Sequence, residues 1–339
     1  MLLKCPEAGI YPGVYLAGLG HYLPDRVVSN AELIAAGGLP VDTAWIQRRI
    51  GVERRHVAAP DQSTSDLALA AAKRALADAG LGPEALDAII LSTISPDHPS
   101  PATACAVQAG LGISGCPAYD LTAACSGFVY ALDAGARQIL TGARQVLVIS
   151  AEIRSRFVDP RDPGMAPIFG DAAAAVLLTS APPGSRLAGI ETFADGAGYH
   201  SVYIPAGGAR LPASPKTVAA REHFLRMPQG EKVFFEVVEG MTSQTELFLE
   251  KMGVTMDQID FVVPHQANLS ILNEVARRLA LPPGKMLINL PEVGNTSSAA
   301  IPLALSQLRA QIPAGSKVLL VAAGAGHTMG LALLQMGPI

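Results

Sequence analysis

Along the chain the spacing of apolar positions switches repeatedly between contiguous or alternating runs and a helical period, as strands and helices laid in succession require. Val14 to Leu19 reads as a first strand ending in the turn G-H-Y-L-P, and Asn30 stands where it can cap a short helix over Ala31 to Ala36. Trp45 to His56 is a polar segment holding the single tryptophan and four arginines. Ser63 and Asp66 form a capping pair for a helix that Leu67 to Ala79 continues and Gly80 ends. Ala88 to Ser92 predicts a buried strand, Ala102 to Gly110 a helix, and Ala118 to Thr122 a short buried strand. Ser126 and Gly127 allow a tight turn, after which Phe128 to Leu140 run with helical period. Gln145 to Ser150 and Gly170 to Thr179 are further apolar strands.

The plan then recurs. G-L-G-P-E-A-L-D-A-I-I-L-S from Gly80 matches G-V-T-M-D-Q-I-D-F-V-V-P from Gly253, in register as far as Asp87 and Asp260. G-A-R-Q-V-L-V-I-S from Gly142 likewise matches G-S-K-V-L-L-V-A from Gly315. Two helix–strand units repeated in the same order predict a duplicated α/β fold, with halves at 1–185 and 186–339. Ala194 to Glu231 lacks periodicity and is rich in Gly, Pro and basic residues. It reads as an insertion of loops and short elements over a site.

Composition narrows the class. Of 339 residues half are hydrophobic and 16% charged, enough for a large packed core, and a net charge of −4 leaves no basic stripe for nucleic acid. The four cysteines, Cys5, Cys105, Cys116 and Cys125, have neither C-x-x-C spacing nor matching histidine pairs, so no zinc site or disulfide framework is expected and reduced thiols fit better. The first residues lack a continuous apolar leader core, and no uninterrupted apolar run is long enough to cross a bilayer, so a cytoplasmic protein is expected.

Cys125 sits between an apolar strand and an apolar helix, where unpaired N–H groups and the helix dipole favour thiolate. A lone cysteine is more often an inert buried hydrophobe. Two other residues shift that balance. His265 lies at the C-terminal end of the strand Phe261 to Val263, where open α/β sheets place ligands. Asn295 opens a helix in the second half as Cys125 does in the first, so the duplication predicts that they face each other across a pseudo-two-fold axis. Taken singly, His265 is also an ordinary strand-end histidine and Asn295 an ordinary helix cap.

A-A-C-S-G-F, P-H-Q-A-N, G-N-T-S-S-A and G-A-G-H-T-M-G resemble, in order, the active-site motifs of the β-ketoacyl-(acyl carrier protein) synthase III family. The resemblance implies a thiolase-like fold whose two α/β halves pack as five αβαβα layers, in a homodimer needing no cofactor or metal. It implies that Cys125 is acylated from an acyl-CoA, the backbone N–H groups of Cys125 and Ala325 holding the oxyanion. His265 and Asn295 would then donate to the malonyl thioester oxygen as malonyl-carrier protein loses CO2. Trp45 and Arg49 would grip the adenine end of coenzyme A, Arg156 and Asn268 would lie along the same path, and Arg277 and Arg278 would dock the acyl carrier protein. Ser100 stands where acetyl-primed members carry a bulky aromatic that gates the partner's acyl pocket, and Ala323 and Ala325 replace an aromatic and a glycine. The serine puts an acetyl-only preference in doubt and permits a longer primer. The loop S-P-D-H-P from Ser95 also resembles relatives that make quinolones and other secondary metabolites, which leaves open a relative in polyketide or quinolone-type metabolism, whereas an inactive acyl-binding partner and a plain cysteine hydrolase leave the three residues unexplained.

Overall fold

The computed structural model describes residues 9–337; Cys5 lies outside them. In the first half, β1 (Tyr15–Tyr22), β2 (Ala88–Ser92), β3 (Ala118–Leu121), β4 (Gln145–Glu152) and β5 (Ala172–Thr179) form a mixed sheet in the order β1-β5-β4-β2-β3. In the second, β6 (Ser185–Ala194), β7 (Phe261–Pro264), β8 (Lys317–Gly324) and β9 (Thr328–Gln335) run β6-β9-β8-β7. Val262 of β7 then makes a parallel bridge to Met286 on its other side. Counting that bridge as a vestigial strand, both sheets have the order first, fifth, fourth, second, third, with the same parallel and antiparallel pairings. The sheets join where Tyr15 and Leu16 of β1 pair with Arg186 and Ser185 of β6.

Alternate strand residues face opposite sides, which divides the core into layers. Ile90, Val148, Leu320 and Ala332 face a central layer of α3 (Gly127–Leu140) and α6 (Ala300–Leu308). Ile89, Leu91, Leu147 and Ile149 face outward onto α1 (Thr64–Ala79) and α2 (Thr103–Gly110). Leu319, Val321 and Leu331 pack on α4 (Gly230–Met252) and α5 (Leu269–Arg278) on the far side. Helix, sheet, helix, sheet, helix is the five-layer arrangement expected. Phe128 and Leu132 of α3 are fully buried, each contributing about 1.5–3 kcal/mol relative to exposure.

The duplication extends to individual hydrogen bonds. Gly80 and Gly253 end their helices at φ 66° and 64°, a conformation that favours glycine. The Asp87 backbone N–H donates to the Gln145 carbonyl and its Oδ2 accepts from the Gln145 N–H at 2.9 Å. Asp260 does the same with both groups of Lys317, its Oδ2 accepting at 2.8 Å.

Four local expectations change. Ser29, not Asn30, caps the first short helix (Asn30–Gly37), because Glu32 stands three residues on and completes a capping box. Asn30 is buried instead and donates to the Val52 carbonyl at 2.8 Å. Trp45 to His56, expected only as a polar segment, falls largely within the helix Thr43–Arg49 and the strand Arg54–Val57, which pairs with Arg26–Ser29. β3 is only half-buried because it lies at the edge of the sheet. Finally, Cys125 is not the counterpart of Asn295. Cys125 is the middle residue of a 3-10 turn (Ala124–Ser126) leading into α3, and Ser298 is the middle residue of the equivalent turn (Ser297–Ala299) leading into α6. The preceding residues, Ala124 and Ser297, share positive φ values of 49° and 54°. Asn295 falls three residues earlier.

Candidate active site

The Cys125 turn is forced by its surroundings. A positive φ at Ala124 is unfavourable for a side chain with a Cβ, and it is held by bonds on both sides. Ser126 Oγ donates to the Thr328 carbonyl at 2.9 Å and Thr328 Oγ1 donates to the Ala123 carbonyl at 3.1 Å. Gly324, the last residue of β8, presses against this turn. A Cβ there would lie 2.9 Å from the backbone nitrogens of Cys125 and Ser126, so only glycine lets the strand end approach.

His265 follows β7, its backbone N–H donating to the Val321 carbonyl at 2.7 Å. The side chain is 3% exposed and burial pushes its pKa down to about 4, so the ring is neutral near pH 7. Asn295 is pinned through its backbone, N–H to the Ile168 carbonyl at 2.8 Å and carbonyl to the Gly170 N–H at 3.1 Å. Its Oδ1 accepts from the Ser297 N–H at 2.8 Å, which orients the amide so that Nδ2 lies 3.5 Å from His265 Nε2 and donates to the Ala267 carbonyl at 3.3 Å. With its proton assigned to Nε2, the imidazole and the amide are two donors converging on one gap, an arrangement suited to an oxygen acceptor.

Cys125, His265, Asn295 and Ala325 all line one pocket of about 150 Å³. The thiol departs from the helix-dipole expectation. Burial pushes the Cys125 pKa up, overcoming the opposing pull of Ser297, whose Oγ lies 3.6 Å from Sγ, and of the Arg154 cation.

The remaining candidates are scattered around this centre. Asn268 lines the pocket and caps α5, its Oδ1 accepting from the Ile271 N–H at 2.9 Å. Trp45 and Arg49 lie on the helix docked against that cap: Ser270 Oγ donates to the Arg49 carbonyl and the Leu269 N–H to the Ile50 carbonyl. Arg156 is exposed, off the pocket wall, and its guanidinium donates to the carbonyls of Ala59, Pro60 and Gln62. Ser100 is exposed and does not line the pocket. Arg277 and Arg278 end α5, both paired with Glu274, and Arg278 also with Glu239. The segment 194–231 contributes Ser201, Val202, Leu225 and Met227 to the pocket wall, in keeping with an insertion over the site.

Four residues of the site were not singled out from sequence. Ser297 and Ser298 stood in plain view within G-N-T-S-S-A. Glu152, a lone carboxylate ending an apolar strand, was a detectable signal; it is fully buried and accepts from Ser95 Oγ and Ser298 Oγ, each at 2.7 Å. Arg154, 1% exposed and on the pocket wall, gave none, since nothing in the sequence separates it from the exposed Arg156. Among the described residues no group of three or more His, Cys, Asp and Glu is arranged to hold a metal ion.

A cysteine on a strained turn, a neutral imidazole and an oriented amide, set in a duplicated five-layer scaffold, define a thiolase-fold condensing enzyme. Comparison with known proteins makes the class specific. Residues 119–197 match the family model for 3-oxoacyl-[acyl-carrier-protein] synthase III and residues 249–336 the model for its C-terminal part. The β-ketoacyl-[acyl-carrier-protein] synthase III of Symbiobacterium thermophilum is 42% identical over 329 residues, 96% of this chain and 98% of the relative. The chain belongs to the β-ketoacyl-(acyl carrier protein) synthase III family and is an acyltransferase of the condensing type. The crystal structure of 3-oxoacyl-(acyl carrier protein) synthase III from Pseudomonas aeruginosa aligns at a TM-score of 0.86 with 37% identity, covering 96% of this chain and 99% of that one. The priming β-ketosynthase of the R1128 polyketide pathway aligns at 0.87 with 30% identity, covering all of both chains.

Proposed function

We propose that Cys125 takes an acyl group from an acyl-CoA and that the bound acyl group is then condensed with malonyl-carrier protein, the priming step of fatty-acid synthesis. In the first half-reaction the thiolate attacks the thioester carbonyl and the oxyanion is held by the N–H groups of Cys125 and Ala325. Coenzyme A then leaves as the thiolate and takes up the proton lost from Cys125. In the second, the malonyl C–C bond breaks, CO2 departs, and the electron pair becomes an enolate whose oxygen accepts from His265 Nε2 and Asn295 Nδ2. The enolate carbon attacks the acyl-Cys125 carbonyl and the Sγ–C bond breaks, giving a β-ketoacyl thioester.

The observation that carries this reading is the 3.5 Å approach of the two donors within the pocket that holds Cys125. A hydrolase has no use for them. The docking of Trp45 and Arg49 against the Asn268 cap supports a coenzyme A path there; Arg156, bonded to the carbonyls of Ala59, Pro60 and Gln62, joins that path only through the family resemblance. Arg277 and Arg278 are the basic end of α5 offered to an acidic carrier protein, after exchange of Glu274 for partner carboxylates. The edge of β3, unpaired among the described residues, supports a homodimer, as does the exposure of Ser100, assigned to gate the partner's pocket; a monomer by light scattering would remove that part. No cofactor is assigned, and the compartment proposed is the cytoplasm. The test is mass spectrometry of the carrier protein after incubation with acyl-CoA, malonyl-carrier protein and enzyme. A β-ketoacyl product is expected, and its absence over a range of acyl-CoA lengths would overturn the reading.

A second reading, priming of a polyketide or related secondary pathway, has a specific observation in its favour. Ala323 lines the pocket wall and Ser100 is exposed, both small where the family resemblance implies bulky residues, and the R1128 enzyme aligns over the whole chain.

The two half-reactions should separate by pH. His265, lowered from 6.5 to about 4 by burial, stays neutral down to mildly acid conditions, so CO2 release from malonyl thioester should show no acid limb near 6.5. The raised Cys125 thiol makes acylation climb with pH through the neutral range and beyond. Stopped-flow acylation and CO2 release measured against pH check this, and coincident profiles would contradict it.

A further inference from the structure

Among the described residues, Arg154 is the only Arg, Lys, Asp or Glu lining the pocket that holds Cys125. It is 1% exposed, and its Nε and Nη1 are buried with no hydrogen-bond partner among the described residues. The guanidinium carbon lies 5.4 Å from the ring centre of Phe169 and 5.9 Å from that of Phe157, contacts that soften the loss of water without replacing it. The nearby carboxylate does not complete the site. Glu152 is near enough to feel the Arg154 charge, which offsets part of the rise that burial causes in its pKa, but its oxygens accept from Ser95 and Ser298, and among the described residues no hydrogen bond or ion pair within 4.0 Å joins it to Arg154. A guanidinium without an acceptor in an apolar pocket is costly to fold. It is also a strong site for a carboxylate, because low dielectric and charge-assisted bonding both favour the pair.

Two parts of the reaction could bring a carboxylate here. One is the malonyl group, whose carboxylate must lose its charge as CO2 departs. A cation bonded to it would stabilise the starting state more than the transition state and slow the step. The other is a second carboxylate on the primer, which does not react.

We propose that Arg154 selects primers that carry a carboxylate on the acyl chain, so that the preferred acyl-CoA is the half-thioester of a dicarboxylic acid. This rests on the acylation of Cys125 proposed above. In that step Cys125 Sγ forms the new thioester at the activated carbonyl, coenzyme A departs with its electron pair and a proton, and the distal carboxylate stays ionised against Arg154.

The experiment compares acylation of the full-length enzyme by length-matched pairs, succinyl-CoA against butyryl-CoA and glutaryl-CoA against valeryl-CoA, by intact-protein mass and by rate. The native enzyme is expected to favour the carboxylated member at least tenfold in kcat/KM. Arg154→Met should remove that preference while still accepting the uncharged acyl-CoAs, and Arg154→Lys should restore part of it. Equal rates for both members in the native enzyme would overturn the proposal without any variant. So would a preference that survives in Arg154→Met. A third arm measures CO2 release from malonyl-carrier protein by enzyme already acylated with butyryl-CoA. Selective loss there in Arg154→Met would assign the cation to the malonyl carboxylate and overturn the primer proposal. No acylation by any of the four acyl-CoAs would strike the Cys125 assignment itself, a failure distinct from acylation without preference.

Discussion

In a Cys125→Ala variant, acyl transfer from acyl-CoA to the protein falls by a factor on the order of 10⁴ or more, the scale on which loss of a covalent nucleophile acts in acyl transfer. Deleting one sulfur from a turn whose other residues, Ala124 and Ser126, stay buried leaves the packing of α3 intact, so the loss is chemical. Gly324 still presses on the turn and Ser126 still bonds Thr328. Intact-mass measurement after incubation with acyl-CoA is the check: the native chain gains one acyl mass and the variant none. Acylation persisting at another residue would remove Cys125 from its role. The variant keeps His265 and Asn295, so slow CO2 release from malonyl thioester should outlast the loss of condensation.

The converse separation is expected of the donor pair. His265→Ala and Asn295→Asp should each retain acylation of Cys125 and each lower CO2 release by roughly 10²–10³, the effect of removing one oriented donor from an oxyanion site. Asp is the sharper substitution at 295. It keeps an oxygen to accept from the Ser297 N–H, preserving the turn, while replacing the N–H donor with a negative charge. Normal decarboxylation in both variants would refute enolate stabilisation by this pair. Equal loss of acylation and CO2 release would mean that the substitutions had disturbed the Cys125 turn, which Ser297 links to Asn295.

The parts of the molecule legible in the sequence are those set by short-range pattern. Asp87 and Asp260 stand seven residues after their helix-ending glycines because each must reach the N–H that opens the neighbouring strand. Cys125, His265 and Asn295 fall at strand or helix ends, where local periodicity breaks. What escaped depends on contacts distant in sequence. The surroundings of the Cys125 thiol come in part from the second half of the chain: Gly324 at the β8 end presses on its turn, and Ser297 opposes the rise that burial causes. Arg154 and Arg156 are two residues apart in one turn, yet one faces the pocket and the other the surface. The assignment of Asn295 as the twin of Cys125 failed for a similar reason. Both open helices in sequence, but which residue occupies the middle of the turn is decided by the positive φ at Ala124 and Ser297.

The corrected pairing says something about how such a protein divides its work. At the spot where one half presents its sulfur, the other carries Ser298, whose hydroxyl is turned to Glu152. Two inherited copies of one turn have taken different trades. One carries the thiol proposed above as the nucleophile, and its sibling is a brace whose hydroxyl holds the buried Glu152. The backbone kept the symmetry of the two turns while their side chains abandoned it, so that of this pair only one turn offers a thiol for the loading proposed above.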